Sequence, residues 1–239
     1  MNIWLASGNV HKKRELAVIL AGHQVIIPAD RGITDFAPDE NGTGFAENAL
    51  IKARALYAHP AFCRADGAVL ADDSGLCVDI LDGRPGIFSA RYGSDGKKKI
   101  GAAERNALLL EEVNAAIAGG KTIPGGRRRS CRFVCAMALF FDPYRFCVVQ
   151  ETLEGELVPD MGAARGSGGF GYDPIVFLPE RGRTVAELSE TEKNAVSHRG
   201  RAGRAISKLL AFQRKNTVML KHRGTVPAGL LHLLLSSEG

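Results

Sequence analysis

The sequence predicts an α/β protein with a mixed β-sheet. Three observations support this class: short buried strands alternate with helices early in the chain, two β-rich runs with a turn signal between them follow, and helical patterns come last. Alternating strands and helices are typical of parallel strands, whereas a hairpin joins antiparallel ones, so the sheet should contain both. With 239 residues, 45% of them hydrophobic, the chain is long enough for one large domain or two joined lobes.

Local patterns predict the elements in chain order. Short apolar runs predict strands at residues 2–6, 24–27, 68–71, 132–141, 145–153 and 175–178. Apolar residues at helical spacing predict helices at residues 12–20 and 45–57, after Gly101, and from about Ser197 to about Arg214. Ser189-Glu190-Thr191-Glu192 fits a capping box that opens a further short helix. Asp142-Pro143-Tyr144 predicts the turn of a hairpin.

Composition favours a cytoplasmic protein. No apolar run reaches the ~20 residues that cross a bilayer, and the opening segment lacks the pattern of a signal peptide. Of five cysteines, Cys131 and Cys135 lie in an apolar stretch, where cysteine packs as a small hydrophobe. The net charge of +5 fits either nucleic-acid binding or a cleft for a polyanionic small molecule. We interpret Lys97-Lys98-Lys99 and Arg127-Arg128-Arg129 as solvated surface loops.

Two polar segments follow predicted strands. Ser7-Gly8-Asn9-Val10-His11-Lys12 leads into a helix, whose first amide groups favour an anion, and Gly8 lets the backbone approach a ligand. A helix-capping turn explains the same residues. Asp72-Asp73-Ser74-Gly75 is predicted to end a strand; adjacent aspartates there point to opposite faces, and a divalent cation would relieve their repulsion. A polar turn is the alternative. Glu40 and Glu47 add oxygen ligands of the kind that Mg²⁺ prefers.

Two later segments carry further binding groups. Gly166 to Pro174 matches G-x-G-x-x-G, but no strand precedes it and Pro174 opposes a following helix, so a Rossmann site is excluded. Phe170 and Tyr172 in this loop suit stacking on a flat base, although an aromatic docked into the core is equally consistent. Lys193 could reach a phosphate, and His198 and Arg199 at a helix start could donate to a carbonyl oxygen. A solvent-facing basic stretch is the alternative there.

Taken in order, these segments resemble the inosine triphosphate pyrophosphatase family, over roughly residues 2–212. The motifs that carry the resemblance are Ser7-Gly8-Asn9-Val10-His11-Lys12, Glu40 with Phe45-Ala46-Glu47-Asn48-Ala49, Ala71-Asp72-Asp73-Ser74-Gly75-Leu76, Pro85-Gly86-Ile87-Phe88-Ser89-Ala90-Arg91-Tyr92, Gly168-Gly169-Phe170-Gly171-Tyr172-Asp173-Pro174 and Ser197-His198-Arg199-Gly200. Each motif is weak alone, whereas six in the family's order are specific. Two segments depart from the family's pattern: residues 93–126, which are glycine-rich and basic, and the tail.

The resemblance implies a long twisted mixed sheet with two α/β lobes, a central substrate cleft and a homodimer. We expect one two-lobed pyrophosphatase domain over residues 1–214 and an extension of unknown role over 215–239. By similarity Asp73 is the catalytic acid/base, and Asp73 with Glu40 holds Mg²⁺. The substrate-binding residues implied are Ser7, Gly8, Asn9, Val10, His11, Lys12, Ser74, Phe170, Gly171, Tyr172, Asp173, Lys193, His198 and Arg199.

The activity implied is hydrolysis of non-canonical purine nucleoside triphosphates (ITP, dITP and XTP) to a monophosphate and pyrophosphate, which cleanses the nucleotide pool. Stable binding to nucleic acid or membrane is not expected. A nucleic-acid-binding protein would explain the charge and the Phe170/Tyr172 pair. It would not explain Asp72, Asp73, Glu40 and Glu47, which repel a phosphate backbone unless metal is present. A kinase-like or nucleotide-sugar phosphotransferase would need a second substrate site, and the sequence offers no sign of one.

Overall fold

A single mixed sheet organises the part of the chain that the computed structural model describes, residues 1–62, 67–94 and 100–222, with side chains to residue 212. Its strands are β1 (Asn2–Leu5), β2 (Gln24–Ile26), β3 (Gly67–Val78), β4 (Ser130–Asp142), β5 (Arg145–Leu157), β6 (Val176–Leu178) and β7 (Arg183–Thr184). Their order is β2-β1-β3-β4-β5-β6-β7. β1 runs parallel to β2 and β3, and every later pair is antiparallel. The predicted mixed α/β class is confirmed.

Five α-helices pack on this sheet in the described ranges: α1 (Val10–Ile19), α2 (Phe45–Ala58), α3 (Ala102–Ala118), α4 (Glu190–Val196) and α5 (His198–His222). The capping box that opens α4 is confirmed, because Ser189 Oγ accepts from the Glu192 amide and the Glu192 carboxylate accepts from the Ser189 amide. The hairpin turn is also confirmed: Asp142 Oδ1 accepts from the amides of Tyr144 and Arg145, both at 2.9 Å. α5 continues beyond the predicted end at Arg214.

The predicted end of the third strand is wrong. Asp72, Asp73, Ser74 and Gly75 lie in the middle of β3, which pairs with β4 without interruption from Val69 opposite Phe140 to Val78 opposite Cys131. Asp-Ser-Gly is a local turn signal, and the long ladder with β4 overrides it. A Cβ at Gly75 would collide with the Gly86 carbonyl oxygen and the Ser89 hydroxyl. This glycine therefore marks a close approach of two backbones inside a strand, not a turn.

Three apolar clusters define two lobes. In the first lobe, one cluster packs α1 and α5 on one face of the sheet, and a second packs α2 on the opposite face. In the second lobe, a third cluster joins α3, β6 and the far ends of β3, β4 and β5. Cys131 and Cys135 are buried in these cores, as predicted. In the described ranges no helix combines the length and apolar character needed to cross a membrane. Lys97-Lys98-Lys99 lies outside the described residues.

Candidate active site

The predicted site residues converge on one cavity of about 630 Å³ between the lobes. Its walls come from the loop between β1 and α1, the middle of β3, the glycine-rich loop before β6, and the start of α5. The predicted residues that line it are Ser7, Gly8, Asn9, Lys12, Glu40, Asp73, Ser74, Phe170, Gly171, Tyr172, Asp173, Lys193, His198 and Arg199. Val10 and His11 lie beside the cavity on exposed positions of α1 and are not among its lining residues.

Asp72 and Asp73 face opposite sides of the sheet, as their adjacency on a strand requires. Asp72 is fully buried. Its carboxylate accepts from Lys12 Nζ at 2.6 Å and from Arg199 Nε at 2.7 Å. Burial alone would raise its pKa, but Arg199 and Lys12 more than offset that effect and hold the pKa well below its usual range. Asp72 is therefore ionised and neutralised by two cations.

Asp72 belongs to a continuous chain of ion pairs beneath the cavity. Arg199 also binds Glu15 at 2.6 Å, Glu15 binds Lys193 at 3.0 Å, and Lys193 binds Asp173 at 2.9 Å. We call the whole set the ion-pair chain; its members in order are Lys12, Asp72, Arg199, Glu15, Lys193 and Asp173. Three carboxylates alternate with three cations, so the chain has no net charge. The predicted alternative of a solvent-facing basic stretch is wrong for His198 and Arg199, which are 6% and 2% exposed.

Asp73 lies in a different electrostatic setting on the α2 face. Lys52 Nζ donates to its Oδ1 at 2.7 Å, and Glu40 approaches the same ammonium at 3.4 Å. Burial raises the pKa of the Asp73 carboxyl, Lys52 and then Lys12 oppose this rise, and the negative charge of Glu40 adds to it. The two carboxylates share one cation and retain one negative charge. A carboxyl with a raised pKa that lines a cleft is suited to exchange a proton.

The donor set around Asp73 fits Mg²⁺. Asp73 and Glu40 supply hard carboxylate oxygens at the cavity wall, and Mg²⁺ in nucleotide sites is typically held by one or two carboxylates together with substrate phosphates. The described residues include no group of three or more His, Cys, Asp and Glu side chains that could hold an ion without such help. Glu47, in contrast, accepts from the Thr43 amide and hydroxyl at 2.7 and 2.9 Å and does not line the cavity.

The β1–α1 loop both caps a helix and lines the cavity, so its two predicted interpretations are compatible. Asn9 Oδ1 accepts from the amides of His11 and Lys12, and the Asn9 amide donates to Ser7 Oγ at 3.1 Å. These bonds fix the loop at the start of α1. Lys12 Nζ is held on Asp72 at the same end of the cavity, where a bound anion would share it.

The glycine-rich loop holds its two aromatic side chains differently. Tyr172 is 5% exposed, packs in the second-lobe core, and donates its hydroxyl to the Ser89 carbonyl at 2.9 Å. The Phe170 ring lies against His11, with Lys193 Nζ 4.8 Å and Arg199 Cζ 5.5 Å from its centroid. Asp173 Oδ2 accepts from the Phe170 amide at 2.7 Å and fixes the turn. Phe170 thus covers two cations that a polyanion would approach.

His198 presents a neutral ring to the cavity. Burial, and next the positive charge of Arg199, hold the pKa of His198 well below its usual range. The ring stacks on Phe133 with centroids 4.9 Å apart, and Nδ1 is buried without a partner among the described residues. A neutral imidazole has one N–H and one lone pair. Of the five N–H groups of Arg199, three are spent on Asp72, Glu15 and Ser74.

Sequence reasoning assigned no role to four groups at this site. Lys52 and Asn48 are one turn apart on the buried face of α2, and a lysine in the stripe with Ala49 and Ala53 was the available signal. Glu15 and Arg105 gave no signal, because only the folded chain places Glu15 in the ion-pair chain and Arg105 at the cavity. A second groove, about 760 Å³, lies beside Arg127, Glu154 and Arg181 and contains none of the predicted site residues.

The fold and the site together define a class of protein: an α/β protein with a cleft between two lobes. The cleft combines a loop suited to an anion, the uncharged ion-pair chain beneath it, and the Asp73–Glu40 pair, which keeps one negative charge. The chain belongs to the Ham1 family, whose model matches residues 3–209.

Individual relatives agree. A dITP/XTP pyrophosphatase of Treponema denticola is 49% identical over 211 residues, which are 88% of this chain and 98% of that protein. A dITP/XTP pyrophosphatase of Geobacillus kaustophilus is 43% identical over 204 residues, covering 84% and 89% of the two chains. The solved HAM1 protein of Coxiella burnetii superimposes with a TM-score of 0.73 at 36% identity, covering 88% of this chain and 98% of its own.

Proposed function

We propose that this protein is a Mg²⁺-dependent pyrophosphatase that hydrolyses ITP, dITP and XTP to a nucleoside monophosphate and pyrophosphate, and so removes them from the nucleotide pool. The observation that carries the proposal is the asymmetry of the cavity. One wall is the neutral ion-pair chain, and the other is the Glu40–Lys52–Asp73 group with one negative charge left over. The names of the Treponema and Geobacillus relatives support the same substrate class.

The triphosphate binds between Lys12 and Lys193. Both ammonium groups line the cavity and are already desolvated, at 14% and 9% side-chain exposure, which strengthens their attraction for phosphate oxygens. Ser7 and Gly8 bring hydroxyl and backbone groups to the same end. The Phe170 ring, which lies near Lys193 and Arg199, offers a flat face on which the base stacks.

Asp73 accepts the proton of the attacking water. The pKa of Asp73 is raised toward neutral pH, where a general base is most effective. Lys52 opposes this rise and so keeps the carboxylate ionised, as a general base must be. The water attacks the α-phosphorus, the α–β bridging bond breaks, and pyrophosphate leaves. Mg²⁺ held by Asp73 and Glu40 would offset charge on the phosphate oxygens. Lys12 and Lys193 offset it from the opposite wall.

Base selection rests on His198, with the free N–H groups of Arg199 assisting. The neutral imidazole donates from Nε2 to the oxygen at position six of hypoxanthine or xanthine. Adenine has an amino group at position six. That group is itself a donor, so the Nε2–H group of His198 is left without an acceptor. Sites built on such hydrogen bonds can discriminate by ~10⁴-fold.

A nucleic-acid-binding role is not favoured. Asp73 and Glu40 line the cavity together, and their residual negative charge would repel a phosphate backbone. The homodimer, the cytoplasmic location and the division at residue 214 remain predictions.

Product analysis tests the proposed function. Inosine triphosphate and Mg²⁺ should yield one pyrophosphate for each monophosphate from the earliest time points, and omission of Mg²⁺ should suppress both. Stepwise release of single phosphates, with the diphosphate accumulating, would refute the α–β cleavage.

A further inference from the structure

Arg105 is a cavity-lining cation that belongs neither to the ion-pair chain nor to the Glu40–Lys52–Asp73 group. It lies on the first turn of α3, and its side chain lines the cavity. Nη2 donates to the Ile100 carbonyl at 3.2 Å. Nε is buried and has no partner within the described ranges, and no carboxylate there lies within ion-pair distance of it. A buried N–H without a partner costs free energy unless a ligand supplies an acceptor.

Two contacts show which end of the cavity Arg105 serves. Its neighbour Asn106 is 3% exposed and donates from Nδ2 to the Gly171 carbonyl at 3.1 Å, which ties this turn of α3 to the glycine-rich loop. Burial raises the pKa of the Tyr172 phenol, and the positive charge of Arg105 is the main effect opposing that rise. Arg105 therefore stands beside Gly171 and Tyr172, at the end of the cavity assigned to the base.

We propose that Arg105 determines specificity by donating hydrogen bonds to the oxygen at position two of xanthine. This inference rests on the proposed function and deepens it. Arg105 enters from α3, whereas His198 and Arg199 enter from α5, so the two sides can read opposite ends of the same base edge. A guanidinium has donors only. It meets an acceptor oxygen in xanthine, a C–H in hypoxanthine and a donor amino group in guanine.

Arg105 also distinguishes xanthine from guanine, which His198 cannot do. Guanine carries the same oxygen as xanthine at position six, so a donor at that position accepts both bases. A donor-only group at position two separates them, because it bonds to xanthine and opposes the guanine amino group. Hydrogen bonds to charged groups typically change affinity by about tenfold to a hundredfold.

The test compares kcat/KM for xanthosine, inosine and guanosine triphosphates in wild type, Arg105→Met, Arg105→Lys and Arg14→Met. Methionine replaces the aliphatic part of the side chain and removes every donor, whereas lysine keeps the charge and loses the planar fork. Arg14 is exposed on α1 and outside the cavity, so Arg14→Met is the matched control. We expect the xanthosine-to-inosine ratio to fall by about tenfold or more in Arg105→Met, and less in Arg105→Lys. The xanthosine-to-guanosine ratio should fall with it, and Arg14→Met should keep the wild-type ratios.

Unchanged ratios in both Arg105 variants would overturn the inference, and so would an equal loss on all three substrates, which would mean that Arg105 binds phosphate or supports the fold. These results differ from a failure of the proposed function, in which wild type itself would release no pyrophosphate from any of the three. If Arg105→Met does not fold, the ratio in Arg105→Lys decides.

Discussion

Asp72 and Asp73 are adjacent on one strand and chemically identical, yet the two faces of the sheet treat their charges in opposite ways. Asp72 is held between Lys12 and Arg199, and its pKa is well below the usual range. Asp73 shares one lysine with Glu40, and its pKa is raised. A carboxylate whose charge is fully compensated stays ionised, whereas one with a raised pKa in a cleft is suited to proton transfer.

The same contrast extends to the groups around each aspartate. The ion-pair chain spans α1, β3, the glycine-rich loop, α4 and α5, so it joins elements distant in sequence into one floor. The Glu40–Lys52–Asp73 group spans only the approach to α2, α2 itself and β3, and its carboxylates face the cavity. We therefore expect substitutions in the ion-pair chain to affect stability and substrate binding, and substitutions in the Asp73 group to affect turnover.

The largest expected effect is on stability, in Asp72→Asn. Removing one partner of a buried pair leaves Lys12 and Arg199 with uncompensated charge, which typically costs about 3–5 kcal/mol of unfolding free energy. Denaturant unfolding measures the loss. The matched control is Asp30→Asn: Lys13 and Asp30 are also 2.7 Å apart, but their side chains are 31% and 34% exposed, and exposed pairs contribute at most about 1 kcal/mol. Equal losses in the two variants would show that the ion-pair chain has no special structural role.

His198→Ala tests whether the wall of the cavity that carries the ion-pair chain recognises the base. The kcat/KM ratio of inosine to adenosine triphosphate should fall by about tenfold to a hundredfold, mainly through loss on inosine triphosphate, because only that substrate loses a hydrogen bond. Phosphate contacts and Asp73 are untouched, so turnover of adenosine triphosphate should change little. An equal fall on both substrates would mean that His198 serves binding in general.

Lys52→Met sharpens the comparison from the other side. Lys52 lowers the pKa of Asp73, so its removal raises that pKa further. A general base acts when deprotonated; the acidic limb of the pH profile of kcat/KM should therefore move to higher pH, with a loss of about tenfold or more at neutral pH. Lys13→Met, which breaks only the exposed pair with Asp30, should leave the profile unchanged. A uniform loss without displacement of the limb would remove Lys52 from the tuning of Asp73.

How much the sequence could predict depended on the range of the interaction concerned. Local signals such as the Ser189 capping box, the Asp142 turn and the alternation of Asp72 and Asp73 were confirmed by the structure. The boundary placed at Asp72 was wrong, because pairing with β4 is a long-range interaction that the turn signal in Asp-Ser-Gly does not contain. The contribution of Glu15 was likewise invisible, since it meets Arg199 across 184 positions of the chain.

The most direct test measures turnover and unfolding free energy in the same preparations of Asp73→Asn. Asparagine is nearly isosteric and can still accept from Lys52, and it removes a carboxylate whose charge burial disfavours. We expect an unfolding free energy equal to or above that of wild type, with kcat on inosine triphosphate lowered by at least ~10²-fold, the lower range for a lost acid/base group. Near-normal turnover in the folded variant would contradict the assignment of Asp73 and the division of labour between the two aspartates.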